Sequence, residues 1–297
     1  MTVCIAALAE ANTQTPKIVF AADRLVSAGV NFENALPKIK ALTPYAWVLI
    51  SSNDALASDL IVVKAQETIA KEIGAGKTLS VSQIVDILSN ECKIKMKSEK
   101  EKQVLTDRFD LTFSEFKKIS KDLHEKLIHD IIVELDNFEY GLISQFLVVG
   151  IDSAAHIYVV HQDGNIQLCD ITGFATVGDG GYLAYPEITK FTYNPNVQLG
   201  EALVRVYNAK KVAERVGGVG KQTDIAVLHV YINPDNKERM VLIWEAPPEL
   251  RALLDKEMEE IRNQEKMAYI GVIGKVFEMF RAKTEQKPEP MSEQSAK

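Results

Sequence analysis

Near the start of the chain stand three residues whose types suit acyl-transfer chemistry. The apolar run Ile18–Ala22 ends in Asp23. A carboxylate closing a strand that reads as buried needs a partner, because an unpaired charge taken out of water is costly. Pro37-Lys38-Ile39-Lys40 opens another extended stretch that can return an ammonium to its side. Thr2 follows a Met1 that ordinary processing removes, so a hydroxyl nucleophile, a cation and an anion are all present. The plainer alternative is a surface Asp at a strand end with solvated lysines.

The elements that would position these groups follow from periodicity. Three short runs rich in Val, Ile and Ala, Thr2–Leu8, Ile18–Ala22 and Tyr45–Ser51, read as strands of one small sheet. Leu56, Leu60, Val63 and Ile69 recur at helical spacing, with Asn53 or Asp54 to cap the start and Gly74 and Gly76 the end. Thr78 or Ser80 caps a second helix that runs into the charged stretch Lys93–Lys102. Phe113, Phe116, Ile119, Leu123, Leu127, Ile131 and Leu135 form one stripe, and two long helices are expected to make a protruding hairpin over about 92–140. Phe146–Ile151, His156–His161 and Gln167–Thr172 then read as strands of a second sheet, with a turn at Asp163-Gly164. A helix over Leu199–Ala213 and strands at Ile225–Tyr231 and Met240–Glu245 complete a domain spanning 1–246. A helical extension over 247–282 and a polar, disordered tail over 283–297 follow. Strands, helices, strands, helix, strands is the order of an α+β fold in which helices cover two stacked antiparallel sheets, a four-layer αββα sandwich.

Bulk properties narrow the function classes. With 297 residues, 46% hydrophobic and 25% charged, the chain has the composition of a globular protein with a large core. A net charge of −7 spread along it argues against nucleic acid as a partner, and the basic run Lys93–Lys102 is interleaved with Glu99 and Glu101. No stretch approaches the about 18 apolar residues of a membrane span, so a cytoplasmic location and no membrane partner are expected. Cys4, Cys92 and Cys169 show no CxxC spacing and read as reduced, buried thiols, Cys4 in a strand. His124 and His129 do not share a helix face, so neither metal nor cofactor is indicated. Gly217-Gly-Val-Gly220 precedes a strand and reads as a turn rather than a phosphate cradle.

Beyond these readings, Phe20-Ala-Ala-Asp-Arg-Leu-Val-Ser-Ala-Gly29 resembles the proteasome β-subunit strand that ends Ala-Ala-Asp-Ser-Arg-Ala-Thr-Ala-Gly. The start Met1-Thr-Val-Cys4 is similar to that of the bacterial relatives of those subunits. A second block, Phe146-Leu-Val-Val-Gly-Ile-Asp152, Asp163-Gly164 and Ala175-Thr-Val-Gly-Asp-Gly-Gly-Tyr-Leu-Ala-Tyr185, follows the same family's later pattern. The resemblance runs over roughly 2–232 and leaves out the helical hairpin and the C-terminal helices. It implies an N-terminal nucleophile hydrolase, with Thr2 attacking a peptide or amide carbonyl and its own α-amine, of reference pKa about 8, as base. Lys38 would then stabilise the alkoxide and Asp23 would hold Lys38, with Lys40 in reserve. Ser27 would bind the substrate backbone and Gly29 follows it in the motif. Ser51, or Ser52, stands where the family has its oxyanion-hole glycine. Val26 and Leu49 fall near positions that shape the pocket, which hints at an apolar preference.

Two departures bear on activity. The family's Gly-Ser-Gly reads Gly178-Asp179-Gly180, where Asp179 would raise the amine's basicity or shuttle its proton. The family's later Asp and Ser align with Val216 and Val219, leaving Asp224 as a structural carboxylate. The expected function is a self-compartmentalising threonine peptidase that needs no cofactor. It would act on peptides or proteins as a homo-oligomeric ring or stack, its unfoldase undefined. The alternatives are a noncatalytic binding module of the same fold and an amidase acting on small molecules.

Overall fold

Strand β1 (Cys4–Ala9) and strand β2 (Lys17–Asp23) are continuous apolar runs rather than alternating ones, and almost every residue of both is buried. Such runs belong to strands covered on both faces. The computed structural model describes residues 2–27, 31–33 and 37–284. After β2 come β3 (Leu25–Ser27), β4 (Asn31–Glu33), β5 (Ile39–Thr43) and β6 (Ala46–Ser52). Two helices follow, α1 (Ala55–Gly74) and α2 (Val81–Glu101). A π-helical turn at Lys102–Thr106 leads into α3 (Asp107–Phe109), α4 (Phe113–Ile119) and α5 (Glu125–Asp136). Next are β7 (Ser144–Ile151), β8 (Ala155–His161), β9 (Ile166–Leu168), β10 (Phe174–Val177), α6 (Gly181–Thr189) and α7 (Leu199–Ala213). The chain continues with β11 (Thr223–Ile232), β12 (Arg239–Glu245) and α8 (Pro248–Thr284).

The fold is α+β, with two antiparallel five-stranded sheets ordered β10-β1-β2-β11-β12 and β5-β6-β7-β8-β9, and a separate β3–β4 pair. One core cluster draws Leu8, Phe20 and Leu228 from the first sheet and Leu49, Leu147 and Ile157 from the second, so the sheets face each other across it. Each large apolar side chain fully buried there contributes about 1.5–3 kcal/mol. The second sheet's other face packs on α1 and α2 through Val48, Phe146, Val62 and Leu88. Helix α7 lies against β1 and β2, and α6 against β10. This layering fits a sandwich.

The sequence expectation differs in three places. The early strands do not form one sheet, because β1 and β2 stay in the first layer whereas β6 pairs with β7 in the second. The return of the chain through β10 and β11 completes the first sheet on both sides of the β1–β2 hairpin. The two-helix hairpin is one long helix followed by shorter ones. Asp110 adopts a left-handed φ of 54, Thr112 forms a capping box with Glu115, and His124 caps α5 through its side chain, so the apolar stripe from Phe113 to Leu135 is cut into separate helices. Phe116, Ile131 and Leu135 still meet, with Val104 and Leu105, in a small core of their own. Finally, β9 is shorter than the expected strand Gln167–Thr172 and starts one residue earlier, and β10 and α6 are regular elements that no periodicity of the sequence indicates.

Compact units divide at Ala246/Pro247. The second unit contains the single helix α8, which starts at a Pro, the residue best tolerated in a first helical turn. The polar tail lies outside the described residues beyond Thr284. Among the described residues no helix is long and apolar enough to cross a membrane.

Candidate active site

Strand register builds the site. Cys4 pairs with Ala22 across β1–β2, which sets Val3 opposite Asp23, and the Asp23 N–H donates to the Val3 carbonyl at 3.3 Å. On β1's other side Cys4 pairs with Val177, so the Gly178-Asp179-Gly180 turn lies beside Thr2. In the facing sheet the Ile50 N–H donates to the Lys38 carbonyl at 2.9 Å, just before β5, which puts Lys38 and Ser51 next to each other at the same end of the molecule. The Cys4 thiol, 3.6 Å from the Ile50 carbonyl, links the two sheets beneath the site, and burial raises its pKa.

Thr2, Asp23 and Lys38 are brought into direct contact. The Thr2 hydroxyl donates to Asp23 Oδ1 at 3.1 Å, Lys38 Nζ donates to the same oxygen at 2.9 Å, and Lys38 Nζ also donates to Thr2 Oγ1. Val3 N–H adds a further donor to Asp23 Oδ1 at 2.9 Å. The other oxygen, Oδ2, accepts from Leu25 N–H at 3.1 Å and Gly220 N–H at 3.0 Å. Asp23 is 0% exposed, so these five donors, the Lys38 ammonium among them, are what make a buried carboxylate tolerable. Thr2 itself is 2% exposed.

The Gly178–Gly180 turn clasps the Thr2 main chain. Gly180 N–H donates to the Thr2 carbonyl at 3.0 Å, and Gln145 Oε1 accepts from Gly178 N–H at 3.1 Å. Gly178 has a φ of 87, and a Cβ there would come within 2.4 Å of the Thr2 carbonyl oxygen and 2.6 Å of the Ser51 hydroxyl. Glycine is thus required both by conformation and by space.

The remaining sequence candidates separate. Ser51 is buried against Gly178, whereas the Ser52 hydroxyl bonds to Ser144 at 2.8 Å and Ser58 at 2.7 Å away from Thr2, so Ser51 is the neighbour of the site. Asp179 is exposed on the wall of a cleft. Lys40 is excluded as the reserve cation, since it pairs with Asp59 of α1 at 2.7 Å. Leu49 is 0% exposed in the core between the sheets and is not among the residues that line the cleft beside Ser51 and Gly178. Asp224 pairs with Arg24, 2.7 Å from its Nε. Ser27 pairs with Asn31 in β3–β4, and its side chain, like that of Val26 and all of Gly29, lies outside the described residues. Met1 lies outside them as well.

The cleft holds about 1070 Å³ and borders the site through Ser51, Gln145, Gly178 and Asp179. Its far wall is the segment Phe138–Gly141 that returns from the helical insertion, with Met96 of α2. Sequence reasoning missed this wall, and it also missed Gln145, Lys210 and Gly220. For Lys210 a signal existed, because helical spacing from Val206 and Ala213 puts it on the buried stripe of α7 with Glu214 four residues on. Among the described residues no group of three or more His, Cys, Asp or Glu is gathered to hold a metal ion. Chemically, the arrangement offers a hydroxyl in contact with an ammonium and a carboxylate, next to an open cleft. No protein-family model matches the chain, and no curated protein matches it.

Proposed function

We propose that this chain is a threonine hydrolase of the N-terminal nucleophile class, similar in fold and site to proteasome β subunits, acting on peptide or amide bonds. The observation that carries the reading is the contact of the Thr2 hydroxyl with both Lys38 Nζ and Asp23 Oδ1 at the chain's second residue. Two facing antiparallel sheets with helices packed on the outer faces support the fold.

Removal of Met1 frees the Thr2 α-amine, with an ordinary pKa of about 8, to take the hydroxyl proton as Oγ1 attacks the carbonyl. Lys38 stabilises the developing negative charge on Oγ1, and the ion pair with Asp23 at 2.9 Å aims its ammonium. The proton passes to the leaving amine, an ester to Thr2 remains, and water releases it. Backbone N–H groups near Ser51 are the candidates for the oxyanion hole, since a main-chain donor serves whatever its side chain. The substrate's leaving side occupies the cleft beside Asp179. Leu56, Leu60 and Val63 are exposed on α1 at helical spacing, and we assign that face to contacts between copies in a homo-oligomer.

Intact mass spectrometry of the purified chain, before and after a threonine-directed β-lactone, tests the reading. The expected result is a chain lacking Met1 that gains one adduct, absent in Thr2→Ala. A retained Met1, or a processed chain that never reacts, overturns the hydrolase in favour of a noncatalytic module of the same fold.

A further inference from the structure

The Lys210 side chain is 0% exposed, and no step of the proposed reaction uses it. Its ammonium lies 2.7 Å from a Glu214 carboxylate oxygen, 2.9 Å from the Gly220 carbonyl and 3.0 Å from the Lys221 carbonyl. All three of its protons are thereby used, two of them on the main chain of one turn. That turn joins α7 to β11 through 214–222, and its Gly220 N–H, at 3.0 Å, is one of the two donors that hold Asp23 Oδ2, the other being Leu25 N–H at 3.1 Å. A Cβ on Gly220 would meet Leu25 Cβ at 2.8 Å, Leu25 N at 2.9 Å and Asp23 Oδ2 at 3.2 Å, so the turn is seated against the carboxylate with no space between.

We propose that Lys210 is a positioning residue for the Thr2 site: it folds the 214–221 turn so that Gly220 N–H fixes one oxygen of Asp23 and leaves the other to hold Lys38 and Thr2. The inference rests on the hydrolase reading. It also gives a physical substitute for the side chains missing at Val216 and Val219, since the turn supports the site through a backbone N–H that Lys210 aims. Burying an ammonium is costly, and burial indeed pulls the Lys210 pKa below the ordinary lysine value, opposed by Glu214. A lysine kept there at that cost, with main-chain carbonyls as its partners, serves the shape of the turn.

Lys210→Met tests this in the full-length chain, because methionine has a similar length without the charge and Glu214 keeps Lys211, 3.1 Å away, as its partner. The second-order rate of β-lactone addition to Thr2 is split into its affinity and maximal-rate parts. Lys210→Met is expected to lower the maximal rate by about 10- to 100-fold, as for a remote change that misplaces reacting groups, while the affinity part stays within about twofold. Gly220→Ala, which leaves Lys210 in place, should give the same phenotype, and the double variant should lose no more than the worse single one. Lys211→Met, which removes another Glu214 partner and leaves the Lys210 bonds to the Gly220 and Lys221 carbonyls in place, should react like the parent. Hydrogen exchange of the peptide covering 215–222 supplies a readout independent of activity and should rise in Lys210→Met. A wild-type chain that does not react overturns the hydrolase reading while exchange still decides whether Lys210 holds the turn. Unchanged exchange, or a Lys210→Met chain that reacts at the wild-type rate, overturns the positioning role.

Discussion

Opposite ends of the β5–β9 sheet each gather a small ionic cluster, and the two solve different problems. At one end, where Gln145 pairs with His161, Asp23 meets Lys38 and four other donors in full burial. At the other, where Ile151 pairs with Ala155, His156 sits between two carboxylates, with Nδ1 2.7 Å from Asp170 and Nε2 3.2 Å from Asp152. Those three side chains are 23–24% exposed. The Asp23 cluster is an anion saturated by donors out of water, so loss of any partner leaves an uncompensated group. The His156 cluster is a proton-dependent cation between two anions that water still reaches. Burial, more than the number of ionic contacts, decides which cluster the protein cannot do without.

The largest effect that could break this contrast is expected from Asp23→Asn. The amide keeps the shape but turns a donor toward other donors. We expect a loss of about 3–5 kcal/mol, the range for breaking a buried ion pair, read from urea denaturation, together with loss of the Thr2 adduct. A cost below about 1 kcal/mol would put Asp23 in the class of exposed pairs and remove the basis of the comparison. A sharper version compares two lysines. Lys38→Met should lower β-lactone reactivity by about 10²–10³-fold, as removal of a group that stabilises the developing oxyanion does. Lys40→Met should leave reactivity unchanged and cost about 0–1 kcal/mol, since its pair with Asp59 is partly exposed. Equal effects on reactivity would mean that contact with Thr2 is not what distinguishes them.

Those lysines also mark how far the sequence could be read. Alternation along a strand assigns Lys38 and Lys40 to one face, but β5 begins only at Ile39, so alternation does not bind Lys38 and its side chain reaches Thr2 while Lys40 turns to α1. Helices with clear caps, such as α1 with Asp54 and α2 with the Ser80–Gln83 box, were legible because their determinants are local, but of the expected α1 stripe only Ile69 is buried, beside Ile61, Val62 and Ala65, while Leu56, Leu60 and Val63 are exposed. The partition of strands between sheets was not, since β1 pairs with β10 and β2 with β11 through contacts that no local pattern encodes. Helix α6 escaped because Pro186 lies inside it and glycines precede it. In the site, Asp23 announced itself as a carboxylate at the end of an apolar strand. Lys210 did not, because a lysine on a helix reads as solvated unless its place on the buried stripe is weighed, and its partners are carbonyls of a turn that has no side-chain signature.

The smallest expected effect lies in the His156 cluster. The hydrogen bond to Asp170 raises the His156 pKa, partial burial opposes it, and Asp152 adds to the rise. Asp152 and Asp170 are themselves fixed by backbone donors, Val81 N–H at 2.9 Å and Ile157 N–H at 2.8 Å. The Tyr158 ring and Arg239, which bonds the Asp152 carbonyl, complete the surroundings. A group whose folded pKa is raised binds its proton more tightly in the folded state. Its contribution is therefore fully present below the unfolded value of about 6.5 and is lost as pH rises through the raised folded value. With water screening the cluster, the contribution should be at most about 1 kcal/mol. Urea midpoints of the wild type and His156→Gln, taken across that range, should differ most in mild acid and converge at alkaline pH. A difference that grew with pH instead would mean that the ring is held neutral, and the contrast between a saturated buried cluster and a titrating half-exposed one would have to be given up.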